Sequence, residues 1–116
     1  MDLSLLPFLQ VLAIVGTIMT GLVSLVRPKS VQKFTGLRAK DGRGITEIRS
    51  ILGAVFVGLG ASALVLDHTV SYPMLGLTYL VIGGVRVLSM FLDDSVERSN
   101  VISAIVEFAF GIVLVL

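Results

Sequence analysis

Two residues of opposite charge, Arg86 and Glu107, stand inside stretches that are otherwise apolar, and they are the residues of this chain best placed to do chemistry. Arg86 comes six residues before Leu92, where one apolar stretch ends, and Glu107 comes seven residues after Asn100, where the next begins. At ~1.5 Å per residue both side chains would lie roughly 9–10 Å below the same surface, within reach of each other. An unpaired charge at that depth costs a few kcal/mol, so each asks for a partner. Glu47 and Arg49 join them as candidates, because they open another apolar stretch near the same surface. Two positions apart on a helix they point about 200° away from each other, so at most one faces the Arg86 and Glu107 pair. Two chemistries fit these four residues. One is an ion-pair network that fixes which helix neighbours which; the other is a titratable ion or substrate site built on a desolvated glutamate and an opposing arginine.

No other constellation suggests a reaction. The chain has no serine with a histidine and an acid in plausible reach, no phosphate-binding glycine motif followed by lysine and a hydroxyl, and no set of metal ligands. With no cysteine, disulfides, thiolate metal sites and cysteine nucleophiles are excluded. The single histidine, His68, has Asp67 beside it and reads as a solvated turn residue, with axial ligation of a pigment or haem as the alternative. Phe8, Phe56, Tyr79, Met90 and Phe91 read as packing or lipid contacts. Neither a cofactor nor enzymatic activity is expected.

The elements that must position these side chains are membrane helices. A length of 116 residues makes one domain, but 55% hydrophobic content is far from a soluble composition. Mean hydropathy is +1.00. A formal charge of +1 argues against a nucleic-acid partner. The first span is residues 5–26, free of charge and long enough for a hydrocarbon core of ~30 Å. Asp2 in front and Arg27-Pro28-Lys29 behind are flanks of a span rather than of a cleaved signal peptide. Pro7 falls in its first turn, and Ala13, Thr17, Gly21 and Ser24 line one face on which another helix can approach closely.

Residues 27–44 form the one long polar stretch, carrying Arg27, Lys29, Lys33, Arg38, Lys40 and Arg43 against a single acid, Asp41. Val31, Phe34 and Leu37 recur every three residues after Pro28, which predicts a short amphipathic helix in the interface; Gly36, Gly42 and Gly44 predict loop. This stretch is either a basic platform for anionic lipid or a partner's acidic surface, or a solvated loop carrying topology signals. Residues 45–66 form the second span, with Thr46 as N-cap and Glu47 early in its first turn. Ala54, Gly58 and Ala61 make one small face and Gly53 and Gly60 a second, so this helix can be packed on two sides. A turn at 67–71 leads to the third span, 72–92, with Pro73 in its first turn and Tyr79, Gly83, Arg86 and Met90 on one face. The Gly83 and Gly84 pair admits a neighbouring helix or softens this one, close packing being the commoner reason. A loop at 93–99 precedes the fourth span, 100–116, at the short limit for a crossing, with Asn100, Ser103, Glu107 and Gly111 as its polar and small face.

The expected fold is therefore all-α, an integral membrane four-helix bundle with a short interfacial helix after the first span. All basic residues but Arg86 then fall on the side of residues 27–44 and 93–99, or in the turn beside it. By the positive-inside rule that side is cytoplasmic and both termini lie on the other. A soluble bundle would show amphipathic stripes, whereas these segments are apolar nearly all round.

Phe34-Thr35-Gly36-Leu37, Gly44-Ile45-Thr46-Glu47-Ile48-Arg49, Gly53 and the Gly58-Leu59-Gly60 run, with Gly83-Gly84-Val85-Arg86 and Glu107 further on, resemble a bacterial family of small four-helix membrane proteins of unknown function that neighbours the DoxX-like group. The resemblance implies the four-helix architecture and a bacterial cytoplasmic membrane, and supplies no activity. DoxX-like relatives are sometimes linked to quinone or respiratory chemistry, an analogy at the level of fold. Small multidrug transporters are also similar in length and helix number, but their essential glutamate is in the first helix, which here carries no charge. Three functions follow as expectations. The first is a non-catalytic structural or assembly subunit, partnered by the bilayer and by membrane subunits or further copies of itself. The others are a small proton-coupled transporter using Arg86 and Glu107, and a quinone-linked redox accessory.

Overall fold

A computed structural model describes residues 4–116, so the expected flank Asp2 lies outside the described residues. The described residues are helical, with no strand among them: α1 is Leu6–Val26, α2 is Pro28–Thr35, α3 is Gly42–Val65, α4 is His68–Leu92 and α5 is Arg98–Val115. All but α2 are long and apolar enough to cross a membrane, at 21, 24, 25 and 18 residues. At ~1.5 Å per residue even α5 reaches about 27 Å. Their outward surfaces carry side chains that water would reject, among them Phe8, Val81, Leu88 and Ile105, each more than half exposed. A soluble bundle buries such residues against one another, so this surface matches lipid.

The chain divides into two compact units, residues 14–65 in one and residues up to 13 with 66–116 in the other. In the first, α1 packs on α3 through its small residues. Thr17, Gly21 and Ser24 of α1 are all buried, as their spacing predicts. A Cβ on Gly21 would come within 2.6 Å of the Gly53 carbonyl oxygen, and one on Gly60 within 2.5 Å of the Ile18 side chain, so the two backbones meet where only glycine fits. Of the two small faces expected on α3, Gly53 and Gly60 thus lie against α1, while Ala54, Gly58 and Ala61 are exposed and Gly58 has no neighbour within 4 Å of where a Cβ would sit.

The start of α3 corrects the sequence reading. Thr46 is not the N-cap: Asp41 is, in extended conformation, with its side chain accepting from the Gly44 N–H at 3.2 Å. Gly42 and Gly44 belong to the first turn rather than to a loop, because an aspartate cap supplies the acceptor that the free N–H groups require. Thr46 instead donates its hydroxyl to the Gly42 carbonyl at 3.1 Å. From Ile48 to Ala54 the helix widens to π geometry, the Val55 N–H reaching back five residues to the Ser50 carbonyl. The interfacial helix α2 forms where expected, but stops at Thr35 because Gly36 takes a left-handed φ of 78°, which leaves Leu37 beyond its apolar stripe. The Gln32 side chain then accepts from the Ala39 N–H at 2.6 Å and ties the turn down.

In the second unit α4 and α5 form an antiparallel hairpin. Helix α4 starts four residues earlier than Tyr72, since Asp67 is its N-cap and absorbs the expected turn at 67–71 into the first helical turn. His68 lies in that turn, its ring tilted against Tyr72 at 5.6 Å between centroids. Pro73 falls inside the helix rather than at its start. Helix α5 likewise begins at Arg98. The two helices cross at a reciprocal pair of glycines: a Cβ on Gly76 would sit 2.8 Å from the Gly111 carbonyl oxygen, and one on Gly111 3.0 Å from that of Gly76. Gly83 rests against the Phe108 ring, Gly84 faces open space, and Tyr79 meets Phe110 edge-on at 5.5 Å. Gln10, from the start of α1, donates to the Val113 carbonyl at 3.1 Å.

Two outcomes follow from these contacts. Gly111→Val drives a side chain into the Gly76 backbone and should cost about 1–3 kcal/mol, whereas Gly58→Ala and Gly84→Ala should be neutral or stabilise by up to ~1 kcal/mol through helix propensity. Unfolding in mixed micelles separates the two classes. The Asp67 carboxylate accepts the Thr69 backbone N–H at 3.0 Å and the Thr69 hydroxyl at 2.8 Å. Both bonds, the backbone one foremost, hold its carboxyl below the ordinary carboxylate range. The cap is therefore at full strength above about pH 3.9 and is lost as pH falls through the lower, folded-state value. Protection factors at the Val70 and Ser71 amides should hold constant from neutral pH down to about 4 and drop below it, and Asp67→Asn should flatten that response.

Candidate functional site

The α4–α5 hairpin brings Arg86 and Glu107 together, as their matched depth requires. Arg86 Nε donates to Glu107 Oε1 and Arg86 Nη2 to Glu107 Oε2, both at 2.7 Å, a bidentate fork in which each carboxylate oxygen takes one N–H. Glu107 is 8% exposed, and it is the one charged residue among the described residues that is buried. Helix geometry alone makes this possible: Glu107 faces α4 one turn before the Gly76 and Gly111 crossing, where the backbones are closest, and Arg86 reaches it along the same seam.

A third partner completes the arrangement. Arg86 Nη1 donates to the Asn100 side-chain oxygen at 3.0 Å, and Asn100 Nδ2 donates to the Ser95 carbonyl at 2.8 Å. Its spacing puts Asn100 on the same face as Glu107 but not in the charged cluster; an asparagine near a helix start reads as a cap, and its role inside the hairpin shows only in three dimensions. The turn between the helices sets it up. Asp94 takes a left-handed φ of 50°, a conformation that Asp tolerates better than most residues, and the Ser95 N–H returns to the Met90 carbonyl at 2.9 Å. The turn thereby presents the Ser95 carbonyl to Asn100, Asn100 orients Arg86, and Arg86 clasps Glu107. No buried side-chain nitrogen or oxygen among the described residues lacks a hydrogen-bond partner.

The other two members of the expected cluster lie in the other unit. Glu47 forms an ion pair with Arg43 one turn before it on α3, both side chains being exposed, and such pairs contribute little. Arg49 is exposed on the π-helical segment. The basic residues Arg27, Lys29, Lys33, Arg38 and Lys40 are exposed on α2 and the turns around it. No group of three or more His, Cys, Asp or Glu side chains among the described residues is arranged to hold a metal ion.

Beside the clasp, Val81, Ile82, Val85, Arg86, Ser89 and Asn100 line an open groove of about 410 Å³. The Arg86 side chain is 32% exposed, whereas that of Glu107 is 11% exposed.

Compared with known families, residues 5–116 match the model of a domain of unknown function, DUF4345. The chain belongs to the DUF4345 family. The match takes in all four spanning helices, so DUF4345 describes nearly the whole chain and not one segment of it. No protein of curated function and no solved structure is detectably similar to it.

The clasp carries an asymmetric expectation. Arg86→Leu or Glu107→Leu strands the partner's charge in an apolar segment and should cost about 3 kcal/mol or more, while the double variant should lie within about 1 kcal/mol of the parent. Asn100→Ala should cost about 1 kcal/mol. A double-mutant cycle in mixed micelles reads all of these, and single variants as mild as the double would mean that the pair is not coupled.

Proposed function

We propose that this chain is a small non-catalytic membrane subunit, assembling with further copies of itself or within a larger membrane complex. The carrying observation is that Glu107, the buried charge, spends both carboxylate oxygens on Arg86. A carboxylate that worked as a proton or cation carrier would have to take up its cargo in competition with the arginine, which here bonds both of its oxygens. The use that fits this geometry is to fix two helices in register, which a charge pair does well because any other register leaves it unpaired. The exposed Ala54, Gly58 and Ala61 face of α3 supports assembly, since small residues are the common surface by which membrane helices associate.

Proton-coupled transport is the second reading, favoured by the open groove that reaches Arg86. It requires that Glu107 leave Arg86 during turnover. Under either reading we place residues 27–44 and 93–99 on the cytoplasmic side and both termini on the other, on the strength of the basic-residue distribution, and take the bacterial cytoplasmic membrane from the family resemblance alone. The resemblance to DoxX-like proteins adds architecture to this reading and no chemistry.

Gentle extraction followed by native mass measurement tests the assembly. The expected result is a fixed-ratio complex that Gly58→Leu disrupts; a monomer in several mild detergents that copurifies with nothing overturns it, and flux in liposomes lost on Glu107→Gln with the fold retained moves the transporter reading forward. Because the chain has no cysteine, topology can be read from single introduced ones. Lys40→Cys and Asp94→Cys should label from the cytoplasmic side alone and His68→Cys from the opposite side alone.

A further inference from the structure

The clasp leaves part of Arg86 unused. A guanidinium has five N–H bonds, and three of them serve Glu107 and Asn100. Two N–H bonds of Arg86 and the hydroxyl of Ser89 have no acceptor among the described residues, and both side chains line the groove beside the clasp. The rest of that wall is Val81, Ile82 and Val85, with the Asn100 side chain at the polar end. The groove does not stop there. A second furrow of about 390 Å³, lined by Met74, Leu77, Thr78, Val81 and Ile82, shares Val81 and Ile82 with the first. Together they run along α4 from Ser89 to Met74, about 22 Å at the helical rise of 1.5 Å per residue.

We propose that this furrow binds a long-chain lipid whose polar end is an uncharged carbonyl group. Its oxygen would accept from Arg86 and Ser89, and its chain would lie on Val85, Ile82 and Val81 toward Met74. The apolar length selects a long chain, and three unused donors at one end select an acceptor. The charge state of the site selects a neutral one. Glu107 already balances Arg86, so a second anion would share one cation among apolar helices, where an uncompensated charge is costly. Depth argues the same way. Arg86 lies six residues inside the end of α4, roughly 9 Å along the axis, below the level at which a phosphate headgroup would keep its water. The proposal goes beyond the subunit reading and does not depend on it, because the donors it uses are those the clasp leaves over.

The test uses the full chain in nanodiscs of zwitterionic lipid and a long-chain methyl ketone labelled with ¹³C at the carbonyl. The expected result is saturable binding of one ketone per chain, with the carbonyl stretch shifted to lower frequency as a hydrogen bond to Arg86 requires. Ser89→Ala should keep the fold, since its backbone carbonyl still caps the helix end, and weaken binding roughly five- to tenfold. Ile82→Trp should fill the furrow and abolish it. An alkane of the same length should not compete. If the alkane competes as well as the ketone, or Ile82→Trp leaves binding unchanged, the furrow is ordinary lipid-facing surface and the proposal fails. If the carboxylate form of a fatty acid of equal length binds more tightly than the ketone, the site selects an anion and the neutral-head assignment is overturned.

Discussion

A guanidinium and a carboxylate can be carried into an apolar segment only together. Each alone would have to be stripped of water with nothing in return, whereas a bidentate pair returns most of the lost hydration as two short charge-assisted bonds. Much of the second unit is arranged around that requirement. The hairpin has to be antiparallel with a short turn so that residues at equal depth face each other. Gly76 and Gly111 have to be glycine so that the helices run close enough for side chains of ordinary length to meet. The turn has to place Ser95 where Asn100 can use it. Specificity follows from the same requirement. Apolar contacts between membrane helices tolerate sliding and rotation, because lipid offers the same dispersion forces as a neighbouring leucine. A buried pair with a third hydrogen-bond partner does not tolerate it, since one step of register separates donor from acceptor.

The unit of α1, α2 and α3 solves the packing problem without buried charge. Its close contacts are backbone against backbone, made where Gly21, Gly53 and Gly60 lack a side chain, with the short polar side chains of Thr17 and Ser24 filling the seam. Its charges are kept at the surface, on α2, on the turns around it and on the first turns of α3. The two units therefore represent two ways of fixing a helix pair in lipid, one by steric fit of small residues and one by a satisfied ion pair added to such a fit.

The sequence shows the spans and the Arg86 and Glu107 pair, because both depend on quantities that can be counted along the chain: the length of an uncharged run, and the number of residues between a charge and the end of its helix. The stripe of Thr17, Gly21 and Ser24 is legible for the same reason. What the sequence hides are the features decided by competition between local signals. Asp41 and Asp67 each start a helix several residues before the apolar run begins, and in both cases a breaker further on, the glycines at 42 and 44 or Pro73, argues for a later start. The aspartate prevails because it satisfies N–H groups that would otherwise be left bare, while an interior proline removes one hydrogen bond and crowds the carbonyl four residues back without ending the helix. Asn100 is missed because an amide near a helix end has several possible employments. Gly76 is missed because nothing in its own span marks it, and only its partner Gly111 lies on a face with other polar residues.

The π-helical stretch from Ile48 to Ala54 is silent in the sequence, since over so few residues its periodicity is hardly distinguishable from that of an α-helix. It acts as a phase shifter. A wide turn carries the chain through an extra residue without advancing the helical face, so the part of α3 that bears Arg43 and Glu47 is offset by one residue's rotation from where an unbroken helical count from Gly53 and Gly60 would put it. Loss of a single residue from this stretch would restore a regular helix and leave both faces where they are, whereas a regular helix of the present length would swing the charged opening turns by roughly 100° against the seam with α1. The wide turn itself, more than the identity of any side chain in it, is what aims the basic end of the helix.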